Sequence, residues 1–306
     1  MQGAAQALAE PRLGLAPRAR QLLSDYVELT KPKVQSLLLL TTIAAMYVAG
    51  DPSVTLVALT CLGGYLSAGG AGAVNHWFDR DIDAQMARTA TRPIPAGRVR
   101  PTAALLFGCT LAGLSFVELS LTVNLLAASL SFAGFLGYVL VYTVWLKRRS
   151  TQNIVIGGAA GAIPPLVGWA AVTGSISATA VLLFAIVFFW TPPHFWALSL
   201  LMKDEYAQVG VPMLPVVRGE TETRRQILLY TVLLYAVTQL PFCAGAFGNV
   251  YLVASMLLGF GFIAGAVRLY RRADRGSALQ LYLFSLAYLA LLFCAMVASV
   301  HLHVHL

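Results

Sequence analysis

The chain has 306 residues, of which 58% are hydrophobic and only 11% charged. A soluble domain carries about a quarter charged residues, so a freely soluble globular protein is excluded and an integral membrane protein is expected. The formal net charge of +8 points to anionic lipid headgroups of a bilayer and not to nucleic acid, since no soluble basic domain exists to carry such binding.

Residues 1–30 lack the apolar run of a cleaved signal peptide, and 1–33 read as a basic N-terminal segment. Nine apolar stretches of spanning length follow, at roughly 34–50, 54–77, 102–119, 122–145, 154–173, 176–202, 226–247, 250–268 and 279–300. Each is expected to be a helix, because a lone span in lipid must satisfy its own backbone hydrogen bonds. The expected architecture is an all-α integral membrane protein with a single transmembrane domain over 34–300 and a short tail at 301–306.

The basic residues test that parse, because Lys and Arg accumulate in cytoplasmic loops. All 21 fall in the N-terminal segment or in the loops after spans two, four, six and eight. The N-terminus and those loops are therefore expected on the cytoplasmic side, with the C-terminus outside. The intervening loops are short: "GDPS", "SLT", "TGS" and "FGN". Two connections of about twenty residues, after spans two and six, are long enough to be functional. Both are acidic as well as basic, and both continue into Pro-rich sequence, "RPIPAGR" at 92–98 and "VPMLPVVRG" at 211–219. We read a weak duplication, spans one to four and five to eight with span nine added, and such repeats place a site at their interface.

In the first long connection, "NHWFDRDIDAQMARTATRPIPAGR" at 75–98, Asn75, Asp79 and Asp83 are spaced four apart. On a continued helix they form one stripe, drifting about 40° per step. Hard oxygens beside basic residues suit Mg²⁺ bound to a phosphate, because Mg²⁺ takes one or two carboxylates and shares its other positions with substrate oxygens. Arg88, Arg92 and Lys147 are placed to meet remaining phosphate charge. The bland alternative is a solvated, salt-bridged loop; the spaced Asn75 favours a ligand set.

Further along, "NIVIGGAAGAIPPLVGW" at 153–169 reads as close helix packing, with Asn153 a polar contact at its mouth. "FFWTPPHFWALSL" at 188–200 carries Pro192 and Pro193, expected to break the backbone ladder, and His194. A membrane-buried histidine is a functional hypothesis by default with haem iron a natural partner; the alternative is a histidine bonded to carbonyls freed by the prolines. "KDEYAQVG" at 203–210 supplies Lys203, Asp204 and Glu205, and two acidic clusters on pseudo-equivalent helices suggest a diphosphate between two metal sites. Cys61, Cys109, Cys243 and Cys294 lie inside spans with no close pairing and read as small core residues. "HLHVH" reads as a tail.

At these residues the sequence resembles the UbiA superfamily of membrane prenyltransferases, whose first motif is N-x-x-x-D-x-x-x-D. "NIVIGGAAGAIPP", "TPPHFWALSL" and "KDEYAQVGVPMLPVV" resemble more narrowly its haem-farnesylating branch, and the likeness spans roughly residues 30–300. The second cluster departs from a D-x-x-x-D, since Gln208 stands four after Asp204; Asp204 is the expected ligand over Glu205. The resemblance implies a UbiA-type bundle in a bacterial-type inner membrane and Mg²⁺-dependent chemistry. Farnesyl diphosphate would lie between Asn75, Asp79, Asp83 and Asp204, with Lys203, Arg88, Arg92 and Lys147 around its charge. Its tail would run into an apolar chamber that shelters an allylic cation from water. Haem B, contacted by Asn153 and His194, would be converted to haem O and handed to a haem A synthase or terminal oxidase assembly proteins. Two other readings stand beside it: a UbiA-type prenyltransferase for an aromatic or quinone precursor, and a non-catalytic haem-handling transporter. A transporter keeps its polar residues near the midplane, whereas here the acids sit at one surface.

Overall fold

The computed structural model describes residues 15–302, so the start of the N-terminal segment and the end of the histidine-rich tail lie outside the described residues. Among the described residues nine helices are long and apolar enough to cross a membrane. In chain order the helices are α1 (Leu15–Leu29), α2 (Pro32–Ala49), α3 (Val54–Phe78), α4 (Arg80–Asp83), α5 (Pro101–Thr122) and α6 (Leu125–Leu136). There follow α7 (Asn153–Gly161), α8 (Pro164–Thr173), α9 (Ala178–Leu201), α10 (Lys203–Gln208), α11 (Leu214–Val217), α12 (Gly219–Cys243), α13 (Asn249–Arg272) and α14 (Arg275–His301). The span begun by α6 continues through Gly137–Leu146 as π-helical turns.

Their starts are written in the sequence. Ser53, Asn124, Ser177 and Asp274 each accept a hydrogen bond from a backbone N–H of the first turn they precede, satisfying a donor that the helix leaves orphaned. Pro32, Pro101 and Pro164 occupy first-turn positions where their missing N–H is harmless. Residues 15–29, read from sequence only as part of a basic segment, form α1. The seventh span starts at Gly219 and not near 226, since Glu220 and Glu222 in its first turn suit the positive end of a helix.

The two proline pairs behave oppositely. The fifth span breaks between α7 and α8, ahead of Pro164, whereas α9 runs unbroken through Pro192 and Pro193. The expected interruption of the sixth span is thus corrected. Pro164 follows a stretch weakened by Gly157, Gly158 and Gly161, while the turns around Pro192 are fixed by the buried Leu183, Ile186, Val187, Trp190 and Trp196.

Neighbour relations repeat between the halves. Helix α3 lies along α5 as α9 lies along α12, and α5 packs on α6 as α12 packs on α13. Helix α14, outside this repeat, packs on α13, α9 and α2. Close crossings need glycine: a Cβ on Gly70 would stand 2.6 Å from the Gly108 carbonyl oxygen, and one on Gly168 would run into that of Thr42. Leu106, Leu121, Leu257 and Phe260 are exposed on the outside, a surface suited to lipid and not to water.

Candidate active site

The site is built at the end of α3. Small residues there let the turn between α1 and α2 approach: a Cβ on Gly72 would reach 3.0 Å from the Leu29 carbonyl oxygen. That contact brings in Lys31, which holds a left-handed backbone (φ 55°, ψ 55°) disfavoured for a residue with a side chain. Helix α3 stops at Phe78, with Asp79 at φ −87°, ψ 4°. The chain nevertheless keeps its four-residue spacing, Asp79 N–H donating to the Asn75 carbonyl at 2.9 Å and Asp83 N–H to that of Asp79 at 2.8 Å. Asn75, Asp79 and Asp83 are all buried, at 3%, 1% and 3% exposure, which a merely solvated loop would not require.

Each of the three is met by a cation. Lys31 Nζ donates to Asn75 Oδ1 at 2.6 Å, and Asn75 Nδ2 donates to Asp79 Oδ2 at 2.8 Å and to Thr143 Oγ1 at 3.1 Å. Asp79 Oδ2 is ion-paired with Lys147, and its Oδ1 lies 3.5 Å from the Arg148 guanidinium. Arg148 chiefly forks onto Asp81, at 2.6 and 2.7 Å, holding that carboxyl below the usual range through its hydrogen bonds. Arg92 pairs with Asp83 at 2.7 Å.

Three cations, Lys31, Lys147 and Arg92, therefore face two buried carboxylates. Burial, with the positive charges of Arg92 and Lys147, pushes Lys31 down to about 7, while Asp79 and Asp83 pull the other way. Such a crowd of cations is short of an anion. His76, 2% exposed with neither ring nitrogen partnered, lies in the same region. The π-helical turns supply the far wall: Lys147 N–H donates to the Tyr142 carbonyl at 2.8 Å, five residues back, and Thr143 and Lys147 both reach the stripe.

The second acidic cluster is built differently. No residue of α10 is buried. Lys203 pairs with Glu220 at 3.0 Å, and Lys203 and Asp204 line a cavity of about 190 Å³ with Arg224, Asp274 and Arg275. Among the described residues no hydrogen bond or ion pair ties either to the Asn75 stripe. The residue turned towards the first loop is Glu205, 3.9 Å from Arg88, whereas Asp204, the expected ligand, lines the cavity with Lys203. Asn153 is fully buried behind the stripe, its Nδ2 donating to the Lys147 carbonyl at 3.3 Å and its Oδ1 unpartnered; it holds the backbone of a cation.

His194 lies apart, buried in α9 and not bonded to a proline-freed carbonyl. Its ring stacks on Trp190, centroids 4.3 Å apart, and on Tyr282, 4.9 Å apart, and Nδ1 stands 2.6 Å from Ser285 Oγ on α14. Sequence reasoning missed Lys31, Thr143 and Arg148 as site residues. The position of Lys31 before Pro32 and the adjacency of Arg148 to Lys147 were the available signals; nothing marked Thr143.

Among the described residues no group of three or more His, Cys, Asp or Glu forms a metal cage. Two buried carboxylates with an amide oxygen fit an ion such as Mg²⁺ that completes its shell with water and phosphate. Residues 38–298 match the model of the UbiA prenyltransferase family. A relative named protoheme IX farnesyltransferase from Chloroflexus aurantiacus is 54% identical over 92% of this chain, which spans about half of that protein's length. The protein of the same name from Symbiobacterium thermophilum is 54% identical over 92% of this chain and 95% of its own. Among solved structures, a digeranylgeranylglyceryl phosphate synthase aligns at TM-score 0.75 and 20% identity, over 91% of this chain and 98% of that one. A UbiA homolog from Archaeoglobus fulgidus bound to DMAPP and Mg²⁺ aligns at 0.66 and 14%, over 89% and 99%; these structures share the fold.

Proposed function

The chain belongs to the UbiA prenyltransferase family, and from that premise we propose that it transfers the farnesyl group of farnesyl diphosphate to a vinyl group of haem B. Water adds in the same reaction, and the products are haem O and diphosphate. The observation that carries this reading is the buried Asn75–Asp79–Asp83 stripe facing Lys31, Lys147 and Arg92, joined to the names of the full-length relatives.

Mg²⁺ would be held by Asn75, Asp79 and Asp83, and when bound supplies Lewis-acid stabilisation of the departing diphosphate. Lys31, Lys147 and Arg92 meet the charge that grows as the carbon–oxygen bond breaks, a preorganised electrostatic role. Arg88 and Glu205 meet between the two loops, and Lys203 and Asp204 line the neighbouring cavity with Arg224 and Arg275. The bundle interior keeps bulk water from the allylic cation until the vinyl electron pair reaches it. Water then captures the second, porphyrin-stabilised cation and gives up a proton. His194 holds the haem iron; Asn153 positions Lys147.

The single transmembrane domain sits in a bacterial-type inner membrane, with the basic loops and N-terminus cytoplasmic and the C-terminus outside, as the distribution of Lys and Arg supports. A haem A synthase or terminal oxidase assembly proteins take the product. The test is purified protein in nanodiscs with haem B, farnesyl diphosphate and Mg²⁺, followed by mass spectrometry of extracted haem. A product heavier by one farnesyl group and one water is expected. Unmodified haem from protein shown to bind both substrates would move the reading to another prenyl acceptor.

A further inference from the structure

His194 is held by α14, the helix that the duplication leaves unexplained. Ser285 Oγ donates its one hydrogen to the Tyr282 carbonyl at 2.6 Å, and a carbonyl can only accept. The same oxygen lies 2.6 Å from His194 Nδ1. With its hydrogen spent, it can only accept there, so Nδ1 carries the proton. The residue is clamped a second time, since Trp190 Nε1 donates to the Ser285 carbonyl at 2.8 Å.

The ring's other neighbours are the aromatic Trp190, Phe195 and Tyr282. No carboxylate among the described residues pairs with it, and a charged imidazolium in such surroundings is costly. A neutral ring with hydrogen on Nδ1 has a bare lone pair on Nε2. That nitrogen meets no partner among the described residues and keeps some accessible surface. Trp190 and Tyr282 stack on the ring while Phe195 stands perpendicular to it, and the Nε2 lone pair lies in the ring plane, the direction along which an imidazole ligates a metal.

We propose that Ser285 is a positioning residue which fixes His194 in the Nδ1–H tautomer and so holds Nε2 as the ligand for the haem substrate. This rests on the reading of His194 given above. A partner that orients a metal-binding histidine typically changes metal affinity by about 10–100-fold when removed.

The experiment uses the full chain in nanodiscs with ¹⁵N-labelled histidine, the His194 signals being assigned by their loss in His194→Ala. Wild type should show Nδ1 protonated and Nε2 bare. Ser285→Ala should shift hydrogen to Nε2 and weaken haem B binding roughly 10–100-fold, with an altered haem spectrum and unchanged farnesyl diphosphate affinity. Ser285→Thr should restore both. Hydrogen on Nε2 in wild type, or wild-type haem binding by Ser285→Ala, overturns the inference. If His194→Ala itself binds haem as wild type does, the haem reading of His194 fails, and the tautomer measurement shows separately whether Ser285 sets the ring.

Discussion

The connections after spans two and six occupy equivalent places in the two halves and both mix acidic with basic residues, yet they are built in opposite ways. The first buries Asn75, Asp79 and Asp83 and assigns each a cation. The second leaves every residue of α10 at least partly accessible and ties Lys203 to Glu220. Acidic residues in a loop are therefore not themselves the signature of a site. Desolvation separates the two, because a buried carboxylate must be paired, and buried charges act strongly on charge that arrives beside them.

The two loops differ most at the buried stripe. Asp79→Asn or Asp83→Asn should lower turnover on the order of 10³-fold, the scale of removing one preorganised electrostatic group, while the protein stays folded by thermal unfolding. Full activity in either would take the reaction away from this loop. Lys147→Met should leave Asp79 as a buried charge short of its main cation, destabilising the fold by about 3 kcal/mol; an unchanged unfolding midpoint would show that Asp79 is not held by that pair. Thr143→Val removes the 3.1 Å hydrogen bond to Asn75, worth about 1 kcal/mol. Mg²⁺ titration should then show roughly five-fold weaker apparent affinity, and no shift would detach the π-helical wall from the site. Smallest is the effect expected across the second loop. Glu205→Gln, at a long and exposed contact with Arg88, should raise the KM for farnesyl diphosphate only about two- to five-fold. Asp204→Asn should change it less; the reverse order would make Asp204 the residue that closes on substrate.

Much of this was legible in the sequence for stated reasons. Spanning helices announce themselves by length and apolarity, and Asn75, Asp79 and Asp83 by a spacing of four that persists even where α3 ends. What was hidden depends on backbone geometry that residue type does not encode. Lys31 reaches Asn75 through a left-handed turn, and Thr143 through turns bonded five residues apart. The sequence led to a break expected at Pro192 and Pro193 and close packing around Pro164 and Pro165, yet the break lies ahead of Pro164, since packing around Trp190 and Trp196 overrides the local tendency at Pro192. Asp204 and Glu205 are neighbours in sequence, and the orientation of α10, which follows the turn at Met202 with φ −120° and ψ 18°, is not written in residue type.

The π-helical turns also tie the site to the length of the chain. A stretch bonded five residues apart holds more residues per turn than an α-helix, so deleting one residue between Gly137 and Leu146 would let the backbone relax into regular geometry. The same deletion in the regular stretch Leu125–Leu136, which has no wide turn to absorb it, would rotate everything beyond by about 100°, carrying Lys147 and Arg148 away from Asp79 with no functional side chain altered. This span is thus a reading frame in three dimensions. Its substitutions are tolerated or not one at a time, but the residue count of its regular part is fixed as a whole.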